Sequence, residues 1–238
     1  MECPRCHEVQ EEGPEECRAC GVIFSRYRPG RPPAAVDLEA DEAPVPWQIQ
    51  LRDRMFRVEP SENRAAVVGR GVFLGILGLV TVGILTTPMR GPYLMDSFIH
   101  WIDLPFHEAG HVVFSPLGTF MHILGGTLGQ LLVPFIALAA FLREENPFGA
   151  AVGGWWLGQS FVDCSPYIAD AQARVLLLTT GETGQVDWES HDWYQLLSRT
   201  GLLSHDIFIA RMAWVLGALL MAASLAWAAH VVRRQWGR

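Results

Sequence analysis

From Val67 to Thr87 the chain is apolar apart from Arg70, and nothing between Arg70 and Arg90 carries a charge. About 20 such residues wound as a helix rise ~30 Å, the thickness of a bilayer's hydrocarbon core. In lipid every backbone N–H and C=O must be paired within the protein, so a run of this kind folds as a helix. Further apolar runs cover about 97–120, 122–142, 148–162 and 207–232. Half of all residues are apolar and 18% are charged, a balance that suits a membrane protein better than a soluble domain of 238 residues. The fold class expected is an all-α polytopic membrane protein of five or six transmembrane helices, with a small N-terminal zinc ribbon. Run lengths favour five spans. Arg52, Arg54, Arg57, Arg64 and Arg70 precede or open the first span and only Arg90 closely follows it, which places the N-terminus in the cytoplasm. Bringing Arg233 and Arg234 back to that face requires a sixth, shorter span around Tyr167–Thr180.

The first 28 residues have a different character. Cys3-Pro-Arg-Cys6 and Cys17-Arg-Ala-Cys20 supply four thiolates in two Cys-x-x-Cys pairs, the ligand set of a tetrahedral structural zinc. A ribbon this small folds because it binds metal. Disulfides are the competing reading, but a Cys-x-x-Cys bridge is strained, and four thiolates suit a reducing cytoplasm. The module resembles the zinc ribbons that begin many bacterial membrane proteins, except that His7 stands where they usually have glycine. Its roles are the docking of a cytoplasmic partner or a plain folded cap.

Pro29, Pro32, Pro33, Pro44 and Pro46, set among Ala, Asp and Glu, make residues 29–66 begin as an extended linker. Trp47, Leu51, Met55 and Val58 then repeat near helical spacing, as an interfacial helix would, although Trp47, Ile49 and Leu51 also alternate as a strand. Thirteen of the 25 acidic residues lie before residue 67, so the net charge of −7 belongs to this soluble part. All 18 basic residues are arginine and they form no large patch, so nucleic acid is not an expected partner.

The membrane domain, residues 67–238, carries one strong chemical motif, His107-Glu108-Ala-Gly-His111. Residues four apart share a helix face, so both imidazoles can meet one zinc ion while Glu108 serves as the base for its water. A charged residue deep in the bilayer costs about 2.5–3.5 kcal/mol, so such groups have a partner or a task. Pro105 and Pro116 flank the motif and should bend or interrupt the helix. His122, eleven residues beyond His111, is a candidate to support a ligand. A two-histidine site in apolar surroundings calls for an anionic third ligand. Of Glu144, Glu145, Asp163, Asp170 and His191, Asp170 fits best, because it follows Pro166 and lies amid apolar residues. His191, beside Asp192 in a polar stretch, reads more readily as a surface pair. Gly71/Gly75, Gly125/Gly129 and Gly154/Gly158 form small-xxx-small pairs suited to close helix packing.

These residues resemble the site-2 protease family of intramembrane zinc metalloproteases, over about residues 67–180. The shared features are His107-Glu108-x-x-His111 in a membrane helix and a later proline-containing segment ending in an aspartate. Pro166-Tyr-Ile-Ala-Asp170 occupies that later place, although the family's Leu-Asp-Gly is absent, and Gln159 falls roughly where the family has Asn. The resemblance implies helices around a zinc at membrane depth, held by His107, His111 and Asp170. It also implies hydrolysis of a peptide bond in a membrane-associated protein substrate, with Glu108 as general base and then acid. Two zinc ions are therefore expected, one catalytic and one structural, in a bacterial cytoplasmic membrane. The alternative is a non-catalytic scaffold or sensor in which zinc ties helices together and the ribbon recruits a partner. An ion transporter would be expected to show a longer row of intramembrane acids.

Overall fold

The computed structural model describes residues 1–11, 13–27, 46–89, 92–95 and 97–237. The chain divides into two compact units, Met1–Val45 and Pro46–Arg238. The linker expected from residue 29 falls, up to residue 45, outside the described residues.

In the first unit the two Cys-x-x-Cys knuckles repeat one geometry. Isolated antiparallel bridges join Glu2 to Val9 and Glu16 to Ile23. Within each knuckle the backbone turns back on its first cysteine: the N–H of His7 donates to the Cys3 carbonyl, and that of Gly21 to the Cys17 carbonyl. Both turn residues adopt left-handed backbone, His7 at φ 62° and Gly21 at φ 65°. Glycine does so freely, whereas histidine incurs a steric cost.

The second unit is helical: α1 (Trp47–Phe56), α2 (Arg64–Thr86), α3 (Pro92–Met95), α4 (Phe98–Phe114), α5 (Thr119–Arg143), α6 (Pro147–Ala169), α7 (Asp192–Thr200) and α8 (Asp206–Trp236). No β-strand forms among the described residues, only isolated bridges. Among the described residues three helical stretches are long and apolar enough to cross a membrane: Arg64–Thr86, Thr119–Arg143 and Leu203–Trp236, with mean hydropathies of 2.1, 1.9 and 2.0. Local sequence sets the helix starts. Asn63 accepts from the Ala66 N–H, Ser97 from the His100 N–H, and Asn146 from the Gly149 N–H with Pro147 beside it. The segment left open between helix and strand is α1. It packs on the last third of α8, where the Trp227 indole donates to the Met55 carbonyl at 2.8 Å.

Glycine decides how closely the helices cross. A Cβ on Gly125 of α5 would stand 2.6 Å from the Gly110 carbonyl oxygen of α4, and one on Gly158 of α6 would stand 2.8 Å from the Gly217 carbonyl of α8. Backbone-to-backbone approach of this kind is what small-xxx-small spacing permits. Gly71 and Gly75 do not serve this purpose, since their Cβ positions would meet at most one distant valine methyl. Trp155 and Trp156 are packing residues: their indoles donate to Thr81 Oγ1 and Asp103 Oδ1.

Two expectations need correction. Pro105 does not break its helix. α4 runs through it to Phe114, and the chain turns only at Ser115–Leu117 and Gly118. The sixth span at 167–180 does not form. α6 ends at Ala169, and the Asp170 carboxylate accepts the N–H groups of Val175 and Leu176, folding the chain back into a polar loop. The two ends of this unit nevertheless meet. The Ser61 N–H donates to the Gln235 carbonyl at 2.9 Å, Arg70 donates to the Gln235 side chain at 2.7 Å, and Arg64 lies over the Trp236 ring. α2 therefore runs antiparallel to α8, and the start of one shares an end of the bundle with the finish of the other.

Candidate metal centres

Cys3, Cys6, Cys17 and Cys20 bring their sulfurs within 4.8 Å of one another. Cys3 lies 3.7 Å from Cys20, and Cys6 3.7 Å from Cys17. Four sulfurs at ~2.3 Å around a tetrahedral zinc stand about 3.8 Å apart, so the spacing fits. The thiols already divide their protons unequally. Burial pushes Cys3 up, but N–H groups of Cys6 and Arg5 and the neighbouring thiols bring it down to about 6. Cys6 is helped by the Glu8 N–H yet rises to about 12 beside Cys20, Cys3 and Cys17.

The second centre lies where α4, α5 and α7 meet. His107 and His111 project from one face of α4, as the four-residue spacing requires, with ring centroids 4.9 Å apart. Each imidazole is oriented through Nδ1. His107 donates to Gln130 Oε1 at 3.3 Å, and His111 donates to the His122 carbonyl at 2.8 Å. Such contacts commonly fix the tautomer of a metal-binding histidine and leave Nε2 for the ion. His122 thus supports the site through its main chain, and its own Nδ1 donates back to the His111 carbonyl. Gln130 is held in turn by donating to Asp163 Oδ2 at 2.8 Å, and that oxygen also accepts from His100.

Both Nε2 atoms face the same carboxylate oxygen, Asp192 Oδ2, at 3.0 Å from His107 and 3.3 Å from His111. Nitrogen and oxygen ligands at ~2.0–2.2 Å around a tetrahedral zinc stand about 3.4 Å apart, so this set also fits. A second observation points to a cation. Each ring meets an oxygen acceptor at both nitrogens, yet a neutral imidazole has a single N–H. Two positive charges complete the arrangement, as two extra protons or as one divalent ion. Gly126 leaves the room, since a Cβ there would lie 2.5 Å from His107 Nε2 and 2.5 Å from His111 Nε2. Glu108 lines the same cavity, which has a volume of about 510 Å³ and is also bounded by Tyr167, Leu177, Leu178 and Arg199.

The carboxylate that the structure brings to the two imidazoles is therefore Asp192, and not Asp170 as expected. Asp170 is bound elsewhere: besides the two backbone N–H groups it accepts from His191 Nε2 at 3.3 Å. Burial raises the Asp170 carboxyl, but the His191 hydrogen bond and the N–H groups of Leu176 and Val175 outweigh it and hold it below the usual carboxylate value. His191 is no surface residue. It is fully buried, and its Nδ1 accepts the Tyr194 N–H, capping α7. The Asp170–His191 pair thereby anchors the helix whose first residue is Asp192, and Tyr167 assists by accepting the Asp192 N–H at 2.9 Å. Asp192 is also raised by burial and held down by hydrogen bonds from His107 and His111, with a net lowering. Glu144 and Glu145 sit in the turn after α5, at the far end of that helix, and Asp163 belongs to the support behind His107.

The chain matches no known protein family, no curated protein and no solved structure.

Asp192, Gly126 and Gln130 adjoin the two imidazoles, a placement that sequence reasoning missed. Asp192 had a signal, as an acid opening an amphipathic helix directly after a histidine. Gly126 and Gln130 had none apart from the fold.

Proposed function

We propose that this chain is a membrane-embedded zinc metalloprotease, similar in chemistry to site-2 proteases, that hydrolyses a peptide bond of a membrane-associated protein. The observation that carries the reading is the convergence of His107 Nε2, His111 Nε2 and Asp192 Oδ2 on one point, beside Glu108, at the wall of a cavity. Two histidines and a carboxylate leave a fourth position on zinc for water, the pattern of catalytic sites; structural sites fill all four. Zinc bound there would lower the pKa of that water and polarise the scissile carbonyl. The chain's own residues supply the rest. Glu108 takes the proton as general base and returns it to the leaving amine as general acid. Gln130 and the His122 carbonyl hold the two rings in one tautomer. Tyr167, with the Asp170–His191 pair, fixes the position of Asp192. The mixture of leucine, isoleucine and threonine along the cavity suits a polypeptide segment that is partly apolar. The ribbon holds a structural zinc and offers a surface for a cytoplasmic partner, in a bacterial cytoplasmic membrane.

The test uses purified protein in detergent with an unstructured reporter polypeptide on a membrane anchor. Wild type is expected to cleave it. Glu108→Gln should retain zinc and lose activity by roughly 10²–10⁴-fold, the usual worth of a general base. Equal turnover by the variant would refute the assignment. If the wild type shows no cleavage while zinc is bound at this site, the scaffold reading takes its place.

A further inference from the structure

The helical unit has two unlike ends. At one end lie α1, the start of α2, the turn between α5 and α6, and the finish of α8. Phe56 packs on Trp227 and His230, Arg70 lies over the Phe148 ring, and Ser61 bonds to Gln235. At the other end lie the finish of α4, the start of α5, the loop after α6, α7 and the start of α8. There the Gln172 amide donates to Asp206 and His111 donates to the first turn of α5. The metal centre belongs to this second end. Gly126, beneath the two imidazoles, precedes Arg143 by 17 residues of α5, a rise of about 26 Å. The cavity wall is completed by residues 177–180 and 189–199, which belong to the same end.

Arginine is divided unevenly between the ends. The end away from the site carries Arg52, Arg54 and Arg57 on and after α1, Arg64 and Arg70 at the start of α2, Arg143 closing α5, and Arg233 and Arg234 near the finish of α8. The end with the site carries Arg174, Arg199 and Arg211 among the described residues. Eight against three is a strong bias, and arginine near the ends of spans remains on the cytoplasmic side. Acids contribute little to that rule, so Asp53, Glu59 and Glu62 at the arginine-rich end do not offset it.

We propose that the metal site opens on the non-cytoplasmic side of the membrane, and that its substrates are polypeptide segments reaching the bilayer from outside the cytoplasm. The substrate part rests on the protease reading above; the orientation does not. The four-cysteine ribbon, which precedes α1 in the chain, then lies in the reducing compartment that its thiolates need.

The experiment labels single introduced cysteines in intact cells with a membrane-impermeant maleimide, using the full-length protein. Glu182→Cys and Val186→Cys sit at exposed positions at the site end, and Glu59→Cys and Glu144→Cys at exposed positions at the arginine-rich end. Cys164 is buried, and labelling of the four ribbon cysteines is measured in the unsubstituted protein before and after permeabilisation and subtracted. Glu182→Cys and Val186→Cys should label in intact cells, and Glu59→Cys and Glu144→Cys only after permeabilisation. Labelling of the arginine-rich end from outside, or equal labelling of both ends, overturns the proposal. The readout needs no turnover, so its failure is separate from failure of the protease reading, which Glu108→Gln decides.

Discussion

Replacing Gly126 by alanine separates metal binding from folding. The added methyl would lie 2.5 Å from both His107 Nε2 and His111 Nε2 and 2.7 Å from His111 Cε1. Comfortable non-bonded contact needs ~3.5 Å or more, so each ring must retreat by about 1 Å. The atoms in the way are tips of side chains, which can swing aside without moving the backbone. The folded protein should lose little, and alanine restores up to ~1 kcal/mol of helix propensity relative to glycine. The ion cannot adjust in the same way, because ligand distances tolerate only ~0.2 Å. Mis-set supporting groups alone cost about 10–100-fold in metal affinity, and moving both imidazoles should cost at least ~100-fold. Chelator competition on detergent-purified protein measures this, with circular dichroism and thermal unfolding of the metal-free form as the folding readout. Gly78→Ala in α2, whose Cβ would meet nothing within 4 Å, is the control and should leave zinc affinity unchanged. Wild-type zinc affinity in Gly126→Ala would refute the claim that the glycine makes the space for the ion.

Asp192→Asn should empty the membrane-domain centre at zinc concentrations that saturate wild type, whereas Asp170→Asn, which removes no ligand, should weaken it by about 10–100-fold; zinc analysis of both variants ranks them, and the reverse order would restore Asp170 as ligand. His7→Gly relieves a left-handed histidine and should stabilise the zinc-bound ribbon by roughly 0.5–1 kcal/mol, read from its unfolding midpoint; a loss of stability would contradict the backbone argument. Cys17→Ser should remove one of two zinc ions and leave the one at His107 and His111, as metal content against protein concentration would show. Acid sensitivity follows from Asp170, whose carboxyl is held below its ordinary 3.8 in the fold. The stabilisation this contributes is complete above about pH 4–5 and is lost as pH falls through the depressed folded value, so α7 should stay seated at about pH 5; its release there, seen as early exposure of Trp193 fluorescence to quencher, would argue against the Asp170–His191 anchor.

The sequence by itself determined whatever depends on local spacing and composition. Long uncharged runs require helices in lipid, and three of the helices found are long and apolar enough to span it. Two Cys-x-x-Cys pairs suffice to gather four sulfurs, because each pair is a single turn of chain. The i, i+4 spacing of His107 and His111 sets both rings on one face whatever surrounds the helix. Tertiary structure decided everything that depends on which elements meet. The carboxylate that meets the two histidines comes from α7, 81 positions after His111, and no periodicity links them. Asp170 lies amid apolar residues and Asp192 in a polar stretch of sequence, and only the fold turns the first toward His191 and the second toward His107 and His111. Gly125 and Gly71 have the same small-xxx-small spacing, yet only the first meets another backbone, because spacing permits an approach and the partner helix has to be there to use it. The shared end of α2 and α8 likewise came from their antiparallel packing, where charge counting had demanded a sixth span that the polar loop after Asp170 does not form.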